Sequence, residues 1–442
     1  MRDELERRVL VAAAHDTELW SRLHRPFLRG RSYQMYPYQI GITNDLDADR
    51  GSIVLKSRQT GISVTSMAHV LSRSLRGQQG ILVVSTGQDE SRDWLRKCKN
   101  MMRSCVPSYP LVPLADNMDR IDFSNGSFVE SSPSTEDTGR GGTYDLVILD
   151  EAETLRNVDL MWASIAPTMS HGGHVCIIST PGLHGSWFND RWQRADELGL
   201  SRHSAHWREC PTCDDAWFAE WRPQYTLRQW QSEYELQWGQ SGEALYRSDS
   251  VEACIELADG WIPSERPSWR MGIDLSGDGS ARTIVCVLDD SRFPVLVHGV
   301  IEVDDLPAPA LQTRLEEIVA AYPGVVPCLD RTGLGWAVVG NMNLRVPTIG
   351  VAITAGREVH RIPRTSNINI PRAELINGLA LGIERQELAI PRRFGHLVTG
   401  LLGAHADKAD AFSDEVDALM LAWWSHLEST RGRRIGTKPP GM

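Results

Sequence analysis

The sequence predicts an α/β protein made of two successive domains, each centred on a largely parallel sheet. Three observations carry that expectation. Between residues 51 and 180, near-continuous apolar runs alternate with helical stretches: Ile53-Val54-Leu55, Ile81-Leu82-Val83-Val84, Leu146-Val147-Ile148-Leu149 and Val175-Cys176-Ile177-Ile178. Such runs are the mark of parallel strands covered on both faces. A second strand-rich region starts at Trp269, with runs at Met271–Leu275, Thr283–Leu288 and Val295–Val300, and alternates with helix up to residue 428. A chain of 442 residues has room for two to three domains, at roughly 100–200 residues each.

The flanking segments read differently. Residues 1–35 look helical and amphipathic, with Arg22, Arg25, Arg29 and Arg31 near the end as a solvated face. Seven of the fifteen tryptophans fall between Trp187 and Trp238, where no strand rhythm is present. This predicts a helical, Trp-rich linker subdomain over 185–264, ending near Pro263 and Pro267. The expected boundaries are therefore 1–184, 185–264 and 265–428, followed by a basic tail, 429–442, whose Gly/Pro/Arg-rich composition predicts disorder.

Composition sets limits on function. Hydrophobic residues at 41% and charged residues at 23% are ordinary for a soluble protein. No apolar run is long enough to span a bilayer, and Met1 to Leu10 is charged, without a signal-peptide core. A cytoplasmic protein is expected. Eight scattered cysteines predict reduced thiols rather than disulfides. A formal net charge of −11 argues against a protein that coats itself in DNA. It leaves room for one that grips and releases.

The first candidate site follows the run Ile53–Leu55. Lys56-Ser57-Arg58-Gln59-Thr60-Gly61-Ile62-Ser63 leads into a helical stretch. A phosphate-binding loop needs small residues at a helix N-terminus, a lysine for the phosphates and a hydroxyl for Mg²⁺. Gly61 and Ser63 fit. Ile62 occupies the usual lysine position, so Lys56 must reach back from the first position of the loop. The run Leu146–Leu149 ends in Asp150-Glu151, where Asp150 would hold Mg²⁺ and Glu151 would polarise the attacking water. Val175–Ile178 ends in Ser179-Thr180-Pro181-Gly182, at the strand end where ligands of open α/β sheets bind. A hydroxyl there could sense the γ-phosphate. Upstream, the amide of Gln39, in Tyr38-Gln39, could read an adenine edge.

The second candidate site is carboxylate-based. Asp274 lies mid-run beside the Gly-rich Gly277-Asp278-Gly279-Ser280. Asp330 ends the run Val325–Leu329, ahead of Arg331-Thr332-Gly333-Leu334-Gly335. Asp414 opens a helix within Asp407–Leu419, with Asp417 one turn on. Three carboxylates from two strands and a helix could converge on two Mg²⁺ or Mn²⁺ ions, the arrangement that activates water and stabilises the leaving oxygen in phosphodiester cleavage.

Together these segments resemble the large subunits of tailed-phage terminases, across nearly the whole chain. The resemblance implies an ASCE-type P-loop NTPase domain followed by an RNase H-like nuclease domain. It implies Lys56 as the phosphate lysine of a variant loop, Asp150 and Glu151 as metal ligand and catalytic base, Ser179-Thr180 as a coupling motif and Gln39 as an adenine reader. Arg140, in Gly139-Arg140-Gly141-Gly142, is similar in placement to the arginine that completes a neighbouring subunit's ATP site, and Arg58 competes for that role. Asp274, Asp330 and Asp414, with Asp417 as alternate, map onto the nuclease ligands. The implied cofactors are ATP with Mg²⁺ and two Mg²⁺ or Mn²⁺ ions. The implied partners are double-stranded viral DNA, a portal ring, a small terminase subunit and further copies of the chain in a ring, docked transiently on the prohead in the host cytoplasm and absent from the mature virion.

Rival readings are a helicase-like DNA-dependent ATPase with an inactive second domain, a nuclease with a degenerate loop, and a non-enzymatic scaffold. Three further signals carry less. His203, His206, Cys210 and Cys213 have a spacing able to hold zinc, but a lone CxxC is weak. Arg431, Arg433, Arg434 and Lys438 make the tail basic. The basic segment Gly356–Arg364 precedes a helical stretch and could guide DNA.

Overall fold

The structure, a computed structural model, describes residues 2–28, 31–169, 172–240, 242, 244–275, 282–304, 306–331, 347–356, 358–405 and 412–434. The chain divides into two compact units, one of residues 1–223 and 227–240, the other of residues 224–226 and 241–442.

In the first unit a short antiparallel pair, β1 (Phe27–Leu28) and β2 (Arg31–Ser32), precedes an eight-stranded sheet. Its members are β3 (Ser52–Lys56), β4 (Gly80–Ser85), β5 (Pro113–Asp116), β6 (Arg120–Phe123), β7 (Phe128–Pro133), β8 (Leu146–Asp150), β9 (His174–Ser179) and β10 (Ser201–Ala205). The spatial order is β10-β3-β9-β8-β4-β7-β6-β5. The strands from β10 to β7 run parallel, and β6 and β5 fold back antiparallel. The pleat sends successive side chains to opposite faces. Ile53, Leu55, Leu82, Val84, Val147 and Leu149 enter one core, while Val54, Ile81, Val83, Leu146 and Ile148 enter the other. Burial on both faces is why these runs are apolar throughout. Parallel running also gathers Lys56, Asp150 and Ser179 at one carboxyl edge.

The N-terminal stretch, expected to be helical over 1–35, forms two helices, Arg2–Ala13 and Thr17–His24, and then the β1–β2 pair. Asp16 breaks the run and caps the second helix, its side chain accepting from the Leu19 N–H. The segment 185–264 is not a separate subdomain. Residues 201–205 form β10, the edge strand beside β3. Ser-Arg-His-Ser-Ala lacks the β-branched residues that signal a strand, so this one is made by backbone pairing. At the other end, Tyr246, Val251, Cys254 and Ile255, the last three on helix Ser248–Asp259, are buried in a core of the second unit.

The second unit holds β11 (Trp269–Asp274), β12 (Thr283–Asp289), β13 (Val295–Val303), β14 (Pro327–Asp330), β15 (Ile349–Thr354), β16 (His360–Arg361), β17 (Ile368–Pro371) and β18 (Leu388–Ala389). Their order is β16-β17-β15-β14-β11-β12-β13-β18. β11, β12 and β13 form an antiparallel meander, while β11, β14, β15 and β17 run parallel. Helix Ala308–Ala320 covers one face, against Met271, Ile273, Val285, Val287 and Leu329. Helices Arg372–Glu384, Gly395–Leu402 and Asp414–Arg434 cover the other. Gly272 permits this packing: a Cβ there would lie 2.1 Å from the Ala418 carbonyl oxygen and 2.4 Å from the Ala422 nitrogen.

The last helix runs through Arg434, so 429–434 are helical rather than disordered. Residues 435–442, Ser276–Ser280, Thr332–Gly335 and Asp407–Ala411 lie outside the described residues. The segment after Gly356 contains β16 and is followed by β17, and only then by a helix.

Candidate nucleotide site and carboxylate cluster

The loop after β3 turns through two left-handed residues, Gln59 (φ 63°) and Gly61 (φ 74°). Gly61 begins helix Ile62–Ser74 without a side-chain cap. The helix therefore offers its first N–H groups, and the positive end of its dipole, to an anion. Lys56 reaches across the sheet edge and donates from Nζ to Glu151 Oε1 at 2.9 Å, its own side chain only 7% exposed. Ser63 Oγ donates to Asp150 Oδ1 at 3.3 Å. Lysine, hydroxyl and both carboxylates thus meet, although β9 stands between their strands. Glu151 itself sits at φ 58°, a conformation that non-glycine residues adopt at a cost and that clusters at functional sites.

Two residues expected at the nucleotide are engaged in bonds of their own. Gln39 is fully buried. Its Nε2 donates to the Thr60 carbonyl at 2.9 Å and its Oε1 accepts from the Tyr36 N–H at 2.9 Å. Tyr38 Oη donates to the same Thr60 carbonyl at 2.7 Å. The pair fastens the loop to helix Pro37–Asp47. Ser179 is also fully buried, and its hydroxyl accepts the Glu153 N–H at 3.1 Å. It supports the turn that carries Glu151, while Thr180 stays partly exposed. The Glu153 carboxylate accepts from Ser186 Oγ at 2.7 Å, and burial raises its pKa against that bond.

The loop has a brace that residue patterns did not reveal. Ser57 donates from its amide to the Ala205 carbonyl at 2.8 Å and from Oγ to the Tyr234 carbonyl at 2.6 Å, and its Oγ accepts from the Trp207 N–H. Arg58 donates from its amide to the Glu233 carbonyl and from Nε to Glu233 Oε2, both at 2.8 Å. The same segment reaches the Ser179 motif, since Ser232 Oγ donates to the Pro181 carbonyl and the Gly239 N–H to the Gly182 carbonyl, each at 2.8 Å. Trp207, Trp217, Trp230, Phe218 and Tyr234 pack together behind it. The density of tryptophan was the one sequence signal of this element.

Arg140 lies on the surface between Gly139 and Gly141, its side chain 71% exposed and paired with Asp137 at 2.5 Å. Arg58 is half-exposed but held by Glu233. The zinc arrangement does not form: His203 Nε2 faces Asp45 at 2.9 Å, His206 Nε2 faces Glu235 at 3.2 Å, and Cys210 Sγ lies against the Thr212 hydroxyl.

In the second unit, parallel register sets Ile273 beside Leu329, so Asp274 and Asp330 close adjacent strands at the same edge. Helix Asp414–Arg434, seated over Gly272, brings Asp414 and Asp417 to that edge. The Asp274 carboxyl is pushed up to about 8, by burial first and then by Asp417, Asp330 and Asp414. Asp417, expected as the alternate, bears on Asp274 more strongly than Asp414 does. Burial raises Asp417 as well, against the pull of Arg372. Burial likewise raises Asp414, whose Oδ2 accepts from the Arg282 N–H at 3.4 Å. Among the described residues no three His, Cys, Asp or Glu side chains stand at metal-holding spacing. The carboxylates are gathered but not closed. An all-oxygen set with surplus negative charge suits hard cations such as Mg²⁺ or Mn²⁺.

No protein-family model matches the sequence. Among solved structures, the large terminase of the thermophilic bacteriophage D6E is similar at a TM-score of 0.63 and 10% identity, over 89% of this chain and 99% of that one. This chain has the large-terminase fold. The D6E protein in complex with ATP-gamma-S aligns over the same shares at a TM-score of 0.62 and 10% identity. Its complex with ADP aligns at 0.61 and 10% identity, over 88% and 98%. Placed in the large-terminase fold, Lys56, Asp150 and Glu151 belong to the first unit and the aspartate cluster to the second. Among the described residues no helix is long and apolar enough to cross a membrane.

Proposed function

We propose that the chain is a terminase large subunit, an ATP-hydrolysing motor that moves double-stranded viral DNA into a prohead and an endonuclease that cuts the concatemer. The observation that carries this reading is the meeting of Lys56 with Glu151 and of Ser63 with Asp150 at one sheet edge, in a chain whose second sheet supplies Asp274 and Asp330 and whose last helix supplies Asp414 and Asp417. The ADP and ATP-gamma-S complexes of the D6E protein support ATP as the ligand. Lys56 and the N-terminus of helix Ile62–Ser74 bind the phosphates, and Ser63 and Asp150 hold Mg²⁺. Glu151 takes the proton of the attacking water. Arg140 enters a neighbouring copy's site, which makes turnover depend on a ring. Movement of the Glu151 turn reaches Ser179 through the Glu153 N–H, and the brace at 232–239 through Pro181 and Gly182.

In the second unit Asp274, Asp330, Asp414 and Asp417 hold two divalent ions, which supply charge stabilisation for phosphodiester hydrolysis. A portal ring and a small subunit are the partners of this reading. The test is an assay of the purified full chain for DNA-stimulated ATP hydrolysis and Mn²⁺-dependent plasmid nicking. Lys56→Ala removes the first activity and Asp274→Asn the second. Absence of both activities in the unaltered chain, with DNA and portal supplied, overturns the proposal.

A further inference from the structure

Both carboxylate oxygens of Asp417 face one nitrogen of Arg372, with Nη2 3.0 Å from Oδ1 and 3.1 Å from Oδ2. The pair is largely withdrawn from solvent, the side chains 18% and 15% exposed. Arg372 opens its helix directly after β17. Because β17, β15, β14 and β11 run parallel, it emerges at the edge where Asp274 and Asp330 end their strands. The guanidinium also lies over the Phe412 ring, 5.1 Å from its centroid, an arrangement that favours a fixed cation. It sets a positive charge among these carboxylates.

We propose that Arg372 is the resident counter-ion of the carboxylate cluster, holding Asp417 while no divalent cation is bound and leaving it when one binds. The inference rests on the nuclease reading above. A hard cation takes a carboxylate oxygen at about 2.0–2.1 Å for Mg²⁺, and at Asp417 it would meet the positive guanidinium already bonded to both oxygens, so the two charges compete for one carboxylate. Release of Asp417 is thus part of the cost of loading the site. It also explains why the aspartates are gathered without closing. Arg372 is a positioning residue in this scheme: it acts through Asp417, and its removal changes cation affinity before it changes any chemistry.

The experiment is calorimetric titration of the full chain with Mn²⁺, run on the unaltered protein and on Arg372→Gln, Arg372→Lys and Asp274→Asn, with melting measured in the absence of metal. The binding that Asp274→Asn abolishes belongs to the cluster. For that binding, Arg372→Gln is expected to be about ten-fold tighter or more, and its metal-free melting point lower, because Asp417 then loses its charged partner beside Asp274. Arg372→Lys keeps the charge on a more hydrated head and falls between. Equal or weaker binding in Arg372→Gln overturns the proposal and leaves the nuclease reading standing. Should that variant not fold, Arg372→Lys decides by the same comparison. If the unaltered chain shows no binding that Asp274→Asn removes, both readings fall together.

Discussion

Lys56 Nζ and Glu151 Oε1 lie 2.9 Å apart, so the residue assigned to phosphate and the residue assigned to water hold each other. A phosphate that draws Lys56 away breaks this ion pair. Glu151→Gln leaves an uncharged acceptor for Lys56 and removes the base. Its kcat for ATP is expected to fall by about 10²–10⁴-fold, with ATP binding retained, while Lys56→Ala loses binding as well. Phosphate release and ATP-analogue binding separate the two. An unchanged kcat in Glu151→Gln removes it from the chemistry.

Arg140 and Arg58 differ in what they touch, and this divides their expected phenotypes. Arg140 is surface-exposed and, among the described residues, paired locally with Asp137, so Arg140→Ala should leave stability within about 0.5 kcal/mol. It should cost activity only under conditions that assemble the ring. Arg58→Ala cuts a tie to Glu233 and should raise the KM for ATP even in the monomer. Mixing each variant with an Lys56→Ala chain reads out which arginine acts on a neighbour.

Gly272→Ala places a methyl group against the backbone of helix Asp414–Arg434. Overpacking of this kind costs about 1–3 kcal/mol or more, which lowers the melting point by about 2–4 °C per kcal/mol in a domain of this size. The helix must lift, carrying Asp414 and Asp417 with it, so Mn²⁺-dependent nicking should fall further than stability does. A variant that nicks normally would show that these two aspartates are not placed by the helix.

His174, at the start of β9, is pushed down to about 3 by burial, with Arg73 and His69 adding to the effect. Between that value and the ordinary 6.5, the unfolded chain binds a proton that the folded chain refuses. Stability therefore rises with pH across this window and is lost as pH falls through it. His174→Leu removes the linkage. Urea midpoints at pH 6.5 and pH 4.5 should differ less in the variant than in the parent, and an equal difference refutes the assignment.

Asp274 works in the opposite direction. With its carboxyl pushed up to about 8, the metal-free second unit loses stability as pH rises from the usual carboxylate range towards that value. Divalent cations need the ionised form. The rise in melting point caused by Mn²⁺ should accordingly be larger at pH 8.5 than at pH 6, and Asp274→Asn should abolish the difference.

Much of this was legible in the sequence because parallel strands write themselves as unbroken apolar runs. β3, β4, β8 and β9 appear where those runs lie, and a carboxylate or hydroxyl at the end of such a run falls on the sheet's carboxyl edge. The reading failed where structure is made by backbone partners. β10 has no β-branched residue, and the loop's brace works largely through the carbonyls of Ala205, Glu233 and Tyr234, with one side-chain tie from Arg58 to Glu233. Gln39 was found, but sequence shows an amide and not its burial or its bonds to Tyr36 and Thr60. Arg372 gave no signal, lying forty-five residues from Asp417.

The pairing of β10 with β3 governs how the chain can be divided. A fragment ending at residue 184 would bare the backbone groups along Ser52–Lys56 and create an adhesive rim on the very strand that delivers Lys56. A fragment starting at 265 would strip Tyr246, Val251, Cys254 and Ile255 from the other half and open a void there. Separately expressed halves should part between 240 and 241, and a protease acting on the intact chain should be most damaging where it severs Glu233 and Tyr234 from the loop they restrain.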